Sequence, residues 1–175
     1  MYLILIIWYN YKVFFIYSKE KQHRRIFRKQ SHIHGAGIFA KRDFKYGQNV
    51  ALIKGKIITH LVKDKESSSF GPNFIGYGLN QWIDPKYPFS DINHSCNPNV
   101  GIKGKITVVA IKDIKKGDEL LLDYSITESD KFWRLDKTCK CGYKYCRKFI
   151  KSIQFLPNNI FNKYMPYIPN FFKKE

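Results

Sequence analysis

Short runs of alternating apolar and polar residues, separated by glycine turns, dominate the chain from about residue 30 onward. The segment 49–59, NVALIKGKIIT, has the pattern of two strands around a Lys–Gly turn. The segment 101–114, GIKGKITVVAIKDI, repeats that pattern, with alternation through Ile106, Val108 and Ala110. Alternation over short runs with a glycine turn between them is typical of β-strands. These segments predict a mostly β protein of short strands.

A helical pattern is clear only near the C-terminus. The segment 157–165, PNNIFNKYM, predicts a short helix with Asn158 or Asn159 as its N-cap. Further upstream, 118–126, DELLLDYSI, predicts one more strand, and 65–74, KESSSFGPNF, predicts a loop. The predicted fold class is therefore mostly β, with a short helix at the C-terminal end.

The first 17 residues, MYLILIIWYNYKVFFIY, are strongly apolar and are interrupted by Asn10 and Lys12. No charged region precedes them and no small-residue cleavage site follows, so they make a poor signal peptide. They also fall short of the roughly 20 apolar residues that a membrane-spanning helix needs. Residues 1–29 are interpreted as an apolar and basic leader, for which a membrane anchor is less favoured than a buried strand or an appended segment.

Composition places the chain among globular proteins, because 44% of its 175 residues are hydrophobic and 17% are aromatic. Lys and Arg number 31 against 14 Asp and Glu, which gives a formal charge of +17. Such an excess favours acidic partners, namely nucleic acid, chromatin, an anionic membrane face or an acidic protein. The alternative is a composition set by an AT-rich genome, since the lysines are scattered along the chain.

Three of the four cysteines lie close together in the stretch TCKCGYKYCRKF, as Cys139, Cys141 and Cys146. Two thiolates one residue apart can face the same metal across a tight turn, and Gly142 lets the backbone bend there. Three thiolates need a fourth ligand to close a tetrahedral zinc site, and Cys96 is the remaining cysteine. The spacing favours a zinc site held by all four.

Disulfide bonds and free buried thiols are the alternatives for these cysteines. A disulfide framework requires an oxidising compartment, which the poor signal sequence does not support. A bridge within the Cys-x-Cys pair would also be strained. The cysteines therefore favour a reducing compartment, the cytoplasm or the nucleus.

A polar stretch, INHSCNPNV at residues 92–100, lies between two apolar runs and carries more Asn, His and Ser than a plain turn requires. Upstream, Gly35 and Gly37 precede an apolar strand, where bare backbone can approach a ligand closely. Downstream, a predicted strand ends in Asp123 and Tyr124, before the cysteine tail. None of these signals is specific when taken alone.

Their order is specific. The chain carries Gly-x-Gly, then Asn-His-Ser-Cys-x-Pro-Asn, then Glu-Leu-x-x-Asp-Tyr, then Cys-x-Cys-Gly-x3-Cys-Arg. In this order the motifs resemble the SET-domain protein lysine methyltransferases that carry a post-SET zinc module. The resemblance covers about residues 30–150, and the small format is similar to stand-alone microbial or viral members.

The resemblance implies a division of the chain into four units. These are the leader at 1–29, a SET domain at 30–130, a post-SET zinc module at 131–152 and a C-terminal helical tail at 153–175. The implied SET fold consists of several small curled sheets around a pseudoknot. In the pseudoknot, the NHSC segment would thread beside the segment that ends in Tyr124, an exception to the usual unknotted topology.

S-adenosylmethionine is the cofactor that the resemblance implies. Backbone groups of the glycine turn would contact it, Asn93 and His94 would bind its amino-acid and adenine parts, and Lys140 would lie over the adenine. Tyr124 and Tyr77 would be the catalytic tyrosines, with Tyr77 near the lysine channel. The expected cofactor-binding residues are His34, Gly35, Ala36, Gly37, Tyr77, Asn93, His94, Tyr124 and Lys140. The expected zinc ligands are Cys96, Cys139, Cys141 and Cys146.

The residue types suit methyl transfer to an amine, an in-line displacement that needs alignment and a neutral amine more than a strong base. A dry channel beside a positive charge lowers the pKa of the incoming lysine. The Tyr124 hydroxyl would orient the reacting groups, while Asp123 would be a structural hydrogen-bond partner. Leu122 would line the channel and lacks the hydroxyl that limits some family members to one methyl, which implies di- or trimethyl-lysine.

The implied substrate is a lysine-bearing protein tail, for example a histone-like one. The net positive charge adds nucleic acid or chromatin as a further expected contact. The alternative from another functional class is a non-catalytic, zinc-containing SET relative that binds chromatin or nucleic acid through that charge. Retention of Tyr124, Asn93 and His94 favours the enzyme.

Overall fold

The computed structural model describes residues 24–59, 74–78 and 80–172, which form ten short strands in four small sheets. Most of the predicted leader and nearly all of the predicted loop at 65–74 lie outside these ranges. No helix within the described ranges is both long and apolar enough to cross a membrane. The predicted mostly β class is confirmed.

The strands pair in small local sheets. β1 and β2 form one two-stranded antiparallel sheet, β7 and β10 form a parallel pair, β9 lies between β3 and β8, and β6 lies between β4 and β5. In chain order the strands are β1 (Ile26–Gln30), β2 (Ala36–Ala40), β3 (Asn49–Leu52), β4 (Gly55–Thr59), β5 (Ile75–Gly78), β6 (Gln81–Pro85), β7 (Asn93–His94), β8 (Val100–Lys103), β9 (Thr107–Ala110) and β10 (Leu121–Leu122).

The two Lys–Gly turns behave differently. The second joins β8 to β9 as the predicted hairpin, with Gly104 in the left-handed region at a φ of +67°. The first does not form a hairpin, because β3 pairs with β9 whereas β4 pairs with β6. Gly55 instead lets β4 approach β6 so closely that an added Cβ would collide with the carbonyl of Asp84.

The prediction of a strand at 118–126 is largely wrong, because only Leu121–Leu122 forms a strand there. The chain turns into a 3-10 helix over Tyr124–Thr127. The Asp123 side chain accepts a hydrogen bond from the backbone N–H of Ser125 at 3.0 Å and so caps this helix. A local capping interaction therefore overrides the apolar run that suggested a longer strand.

The C-terminal helix, α1, spans Asn158–Tyr164, as the sequence predicted. Its N-cap is Pro157 and not Asn158 or Asn159, so that detail of the prediction was wrong. The backbone of Pro157 is extended, and its carbonyl accepts the N–H of Ile160 at 3.0 Å. Both asparagines therefore lie in the first helical turn.

Two groups of buried residues form the interior. The larger combines side chains from eight of the ten strands with Tyr164, Ile168 and Phe172 of the C-terminal tail. The smaller contains Cys96, Trp133, Cys139 and Ile150, with the cysteine segment folded around it. The tail thus closes the large core, while the cysteine segment has a small core of its own.

Candidate active site and metal centre

Two segments far apart in sequence lie side by side at the centre of the site. In the parallel pair, Leu121 is opposite Asn93 and Leu122 is opposite His94. The pairing continues beyond the strand, where the N–H of Ser95 donates to the carbonyl of Leu122 at 3.0 Å. The β8–β9 hairpin lies between them in sequence, so the arrangement agrees with the threading that the resemblance implied.

The asparagines of the polar stretch hold this pairing in register. The side-chain oxygen of Asn99 accepts the N–H of Leu121 at 2.8 Å, and its amide donates to the carbonyl of Glu119 at 2.8 Å. The backbone N–H of Asn97 donates to the hydroxyl of Ser95 at 3.0 Å, which closes a tight turn. The side-chain amide of Asn99 therefore replaces backbone partners that a two-residue strand lacks.

Asn93 joins the pairing to the glycine turn. Its buried amide Nδ2 lies within hydrogen-bond distance of the carbonyls of His34 and Ala36, at 3.1 and 3.0 Å. The same amide lies 2.8 Å from the Glu119 Oε1 atom. Gly35 has a φ of +49°, a conformation that glycine adopts without strain. Asn93 therefore contacts the turn at residues 34–37, so five of the predicted cofactor-binding residues lie together.

Glu119 is a site residue that the sequence reading missed. Its Oε2 accepts the hydroxyl of Ser31 at 2.9 Å, and that hydroxyl accepts the N–H of Ile33 at 2.9 Å. A Cβ on Gly37 would collide with the Glu119 carboxylate. This carboxylate therefore braces the turn and occupies the space beside Gly37. Its place in the Glu-Leu-x-x-Asp-Tyr motif is the signal that could have identified it.

His94 is buried and held in one tautomer. Its Nδ1 accepts the backbone N–H of Tyr124 at 3.1 Å, so the ring proton lies on Nε2, which is 3.4 Å from the Cys96 Sγ atom. Burial lowers the pKa of His94 to about 4, with the Asp123 charge opposing this and Arg147 adding to it. Both ring nitrogens thus contact the protein, and the imidazole is neutral at neutral pH.

Tyr124 lies where the threaded segments meet a narrow cavity. Its hydroxyl donates to the carbonyl of Ile92 at 2.6 Å, and its ring meets the edge of His94, with centroids 5.3 Å apart. Burial, and then the charge of Glu119, raise the pKa of Tyr124 well above its ordinary value. The cavity is lined by Phe74, Ile75, Phe89, Ile92, Leu122, Tyr124 and Thr127.

Of the other predicted site residues, Leu122 lines the cavity, whereas Tyr77 and Lys140 do not. Leu122 is buried and lines the cavity. Tyr77 is half-buried on β5 but does not line it; the Lys105 ammonium lies 4.6 Å from its ring centroid. A bulge between Gly76 and Gly78 interrupts the register of this strand. Lys140 is exposed beside the cysteines.

The four cysteines converge. Their Sγ atoms all lie within 4.8 Å of one another, and those of Cys96 and Cys146 are 3.9 Å apart. A tetrahedral zinc ion with bonds of about 2.3 Å separates its ligand atoms by about 3.8 Å. All four are free thiols and none forms a disulfide. The donor set and its spacing fit a structural zinc ion.

The surroundings of Cys141 favour a thiolate, whereas burial raises the pKa of Cys96 and of Cys139. Burial opposes ionisation of Cys141, but backbone hydrogen bonds from Cys96 and Tyr143 and the neighbouring thiols lower its pKa to about 7. The N–H of Arg147 points at the Sγ of Cys96 at 3.4 Å. Such N–H groups around the sulfur atoms orient metal ligands and partly neutralise their charge.

Asp123 ties the site to the cysteine segment and to the tail. Arg147 Nη2 donates to both of its carboxylate oxygens, at 2.6 and 2.7 Å. The Tyr164 hydroxyl, from α1, donates to Oδ2 at 3.0 Å. The Asp123 side chain is fully buried, so it lies in a setting where such charge-assisted bonds are strong. It is a structural hydrogen-bond partner, as the sequence reading expected.

A family model described as SET domain matches residues 35–125. Histone-lysine N-methyltransferase 2B of Homo sapiens is 31% identical over 138 residues, which cover 69% of this chain and 5% of that protein. The histone-lysine N-methyltransferase trithorax of Drosophila virilis is 32% identical over 145 residues, which cover 74% of this chain and 4% of that protein. This chain therefore spans only a small part of the length of these relatives.

The solved structure of KRYPTONITE, in complex with mCHH DNA, an H3(1-15) peptide and SAH, has the same fold. It is similar with a TM-score of 0.55 at 19% sequence identity, over 71% of this chain and 29% of that chain. At this identity the likeness supports the arrangement of strands and not a shared activity.

Proposed function

This chain belongs to the SET domain family, and on that premise we propose that it transfers a methyl group from S-adenosylmethionine to the ε-amine of a lysine in a protein substrate. The pairing of β7 with β10 carries the proposal. Through it, the Tyr124 hydroxyl lies at a narrow apolar cavity and Asn93 lies against a bare glycine turn.

The glycine turn suits the cofactor. His34 and Gly35 are exposed, Gly37 has no side chain, and the Glu119 carboxylate lies beside it. A carboxylate next to open backbone favours a ligand that carries positive charge, and S-adenosylmethionine, when bound, supplies a methyl group on a sulfonium. In the proposal, this turn, Asn93, the backbone around His94 and the exposed Lys140 hold the cofactor.

The proposed role of Tyr124 is to orient. Its pKa is raised, so its hydroxyl keeps its proton at neutral pH and does not serve as a base. The bond to the Ile92 carbonyl fixes the direction of the hydroxyl. In the proposed reaction the lysine nitrogen would form a bond to the methyl carbon while the bond from that carbon to sulfur broke, and the electron pair of the broken bond would stay on sulfur. The lysine ammonium must lose one proton, which passes to solvent.

In the proposal, the cavity keeps the amine of the substrate lysine uncharged. Its lining is apolar apart from the hydroxyls of Tyr124 and Thr127, and an apolar lining suits the aliphatic stem of a lysine. Desolvation there lowers the pKa of the lysine and favours the uncharged nucleophile. The proposed substrate is a lysine in an extended protein tail, and histones are the first candidates because the relatives above are named for them.

The proposal is tested by incubating the purified chain with isotope-labelled S-adenosylmethionine and either histones or a mixed protein lysate, followed by mass spectrometry of lysine-containing peptides. We expect label on lysine side chains. Tyr124→Phe should bind the cofactor normally but turn over on the order of a hundredfold more slowly. Tyr87→Phe, at an exposed tyrosine, is the control. Cofactor binding without any transfer would support the non-catalytic alternative.

We further propose that Leu122 lets the reaction pass beyond one methyl group. It is 1% exposed and lines the cavity without a hydroxyl that could hold water there. Intact-mass analysis at long times should show di- or trimethyl-lysine for the parent protein. Leu122→Tyr should stop at one methyl, whereas Leu122→Phe should progress. A parent that stalls at monomethyl-lysine with enzyme and cofactor in excess contradicts this assignment.

A further inference from the structure

The cysteine module, defined as residues 131–151, concentrates positive charge. It contains eight Lys and Arg residues and one carboxylate, Asp136, so its formal charge is 8 − 1 = +7. One of the eight, Arg147, pairs with Asp123. The other seven are exposed, and none forms a salt bridge within the described part of the chain. These seven are Lys131, Arg134, Lys137, Lys140, Lys144, Lys148 and Lys151.

Exposed aromatic rings occur in the same region. Phe132, Tyr145, Phe149 and Phe155 are 41%, 68%, 74% and 54% exposed. Across the described residues only two other aromatic side chains have comparable exposure, Tyr46 and Tyr87, so four of six lie within 24 residues. Exposed rings at this density mark an interaction surface, because each one leaves apolar area in water.

Local pairing brings some of these groups onto one face. The module folds as two antiparallel segments, with Arg134 opposite Lys151 and the N–H of Leu135 bonded to the carbonyl of Ile150 at 2.9 Å. Arg134 and Lys151 are opposite residues of this bridge, so their side chains share one side, and both are exposed. Ile150 is buried in the small core, and Phe149, next to it in the chain, is 74% exposed.

Phe155 extends this face. The Lys151 ammonium lies 5.0 Å from the centroid of its ring, within cation–π distance. We call Arg134, Phe149, Lys151 and Phe155 the outer face of the module. It presents two exposed cations and two exposed rings.

We propose that the outer face binds single-stranded nucleic acid. Lys and Arg neutralise phosphates, and exposed rings give bases a surface on which to stack. A duplex hides its base faces, so the two exposed phenylalanines favour a single strand over a double helix. A module of charge +7 repels a basic protein tail and attracts a polyanion, so the charge of the outer face also favours nucleic acid as its partner.

The test is fluorescence anisotropy of a labelled oligouridine of about 16 nucleotides with the purified, zinc-loaded chain across a range of salt concentrations. Phe149→Ala and Phe155→Ala should each weaken binding by about 5- to 150-fold, the equivalent of roughly 1–3 kcal/mol per stacked base. Arg134→Gln and Lys151→Gln should each reduce the slope of log affinity against log salt by about 0.7.

Matched controls lie outside the module, on other exposed segments. Tyr87→Ala removes another exposed ring, and Lys56→Gln removes another exposed cation on β4. Neither should change the affinity by more than about twofold, within the range of distant charge effects. All six variants should keep the zinc content of the parent, and the four outer-face variants should keep its methyl transfer to a short peptide.

Several results overturn the proposal. One is equal weakening by the controls and the outer-face variants, which would indicate diffuse attraction by net charge. Another is tighter binding of a duplex that ignores the two phenylalanine substitutions. A third is binding to vesicles of phosphatidylcholine and phosphatidylserine that depends on the same four residues while the oligouridine is not bound, which would assign the face to a membrane surface.

Discussion

The SET core and the cysteine module are ordered by different interactions. The core buries a continuous cluster of 24 side chains beneath four small sheets. The small cluster buries four, of which Trp133, Cys139 and Ile150 belong to the module and Cys96 to the core. A single bridge between Arg134 and Lys151 is the β-pairing that the structure describes within the module. A segment of that size cannot stabilise itself by burial and needs a metal or disulfides. The sulfur cluster is therefore the main source of order in the module.

The two regions meet around Tyr124, the residue that we propose to be catalytic. Cys96, from the core, is one of the four clustered cysteines, and its Sγ atom lies 3.4 Å from His94 Nε2. The other ring nitrogen of His94 accepts the backbone N–H of Tyr124. Arg147, from the module, donates hydrogen bonds to the buried Asp123 carboxylate of the core. Disorder in the module should therefore disturb the position of Tyr124 through these two sets of contacts.

Removal of zinc should have the largest effect. We expect one zinc ion per chain by elemental analysis under reducing conditions. Chelation should abolish cofactor binding, since structural zinc sites contribute on the order of 10–16 kcal/mol in isolated peptides. Hydrogen exchange should show loss of protection across 133–150, while β3, β8 and β9 stay protected.

Cys139→Ser is the matched variant for chelation because it removes one ligand and leaves the core sequence intact. It should reproduce the selective loss of protection in the module. Uniform loss of protection across both regions would show that the core depends on the metal as well, and a purified protein without zinc would remove the basis of the comparison.

Breaking the charge pair between the regions comes next. Asp123→Asn keeps the shape of the side chain but leaves Arg147 without its counter-charge, and breaking a buried pair in this way costs about 3–5 kcal/mol. Urea denaturation of the zinc-loaded protein measures this loss. Asp91→Asn, in the exposed pair with Arg28, should cost less than about 1 kcal/mol. Equal losses would mean that Asp123 does not join the two regions.

The sequence predicted much of this site because its motifs are local. The cysteine spacing, Asn93, the glycine turn and the strand hairpin at Lys103–Gly104 are each visible within a few residues, and the structure brings them together. The family order of motifs supplied the threading, which no periodicity could show. Short-range patterns therefore identified the parts well.

What the sequence could not show are partnerships across long separations. Tyr164 lies 41 residues from Asp123, and nothing in the helical pattern distinguishes its hydroxyl from those of other tail tyrosines. Glu119 looks like an ordinary strand carboxylate until Gly37 is found against it. The register at Tyr77 also depends on a bulge that alternation does not signal.

The hydrogen bond from the tail to Asp123 should contribute less to stability than the Asp123–Arg147 pair does. Tyr164→Phe removes one hydroxyl from Asp123, which keeps Arg147 and the Ser125 N–H as partners, so we expect a loss of about 1.5 kcal/mol. Tyr145→Phe, at a side chain that is 68% exposed, is the control and should change stability little. An unchanged midpoint in urea for Tyr164→Phe would show that the tail packs against the core without bracing Asp123.

The smallest effect concerns Glu128, at the boundary between the regions. Its carbonyl accepts the N–H of Ile153, and its carboxylate accepts the Trp82 Nε1 proton at 3.0 Å and the N–H of Asp130 at 2.7 Å. Burial raises the pKa of Glu128, although both of these hydrogen bonds oppose the rise. The folded protein therefore binds this proton more tightly than the unfolded chain does.

The sign of the pH dependence follows. Stability from Glu128 is fully present below the unfolded pKa of about 4.3 and is lost as pH rises through the higher folded value. Glu128→Gln cannot ionise, so its stability relative to the parent should improve between about pH 4 and pH 7. Asp84→Asn, at an exposed carboxylate on β6, is the control variant. An advantage that shrinks as pH rises would mean that the hydrogen bonds from Trp82 and Asp130 outweigh burial, so that this boundary of the core tolerates a buried charge.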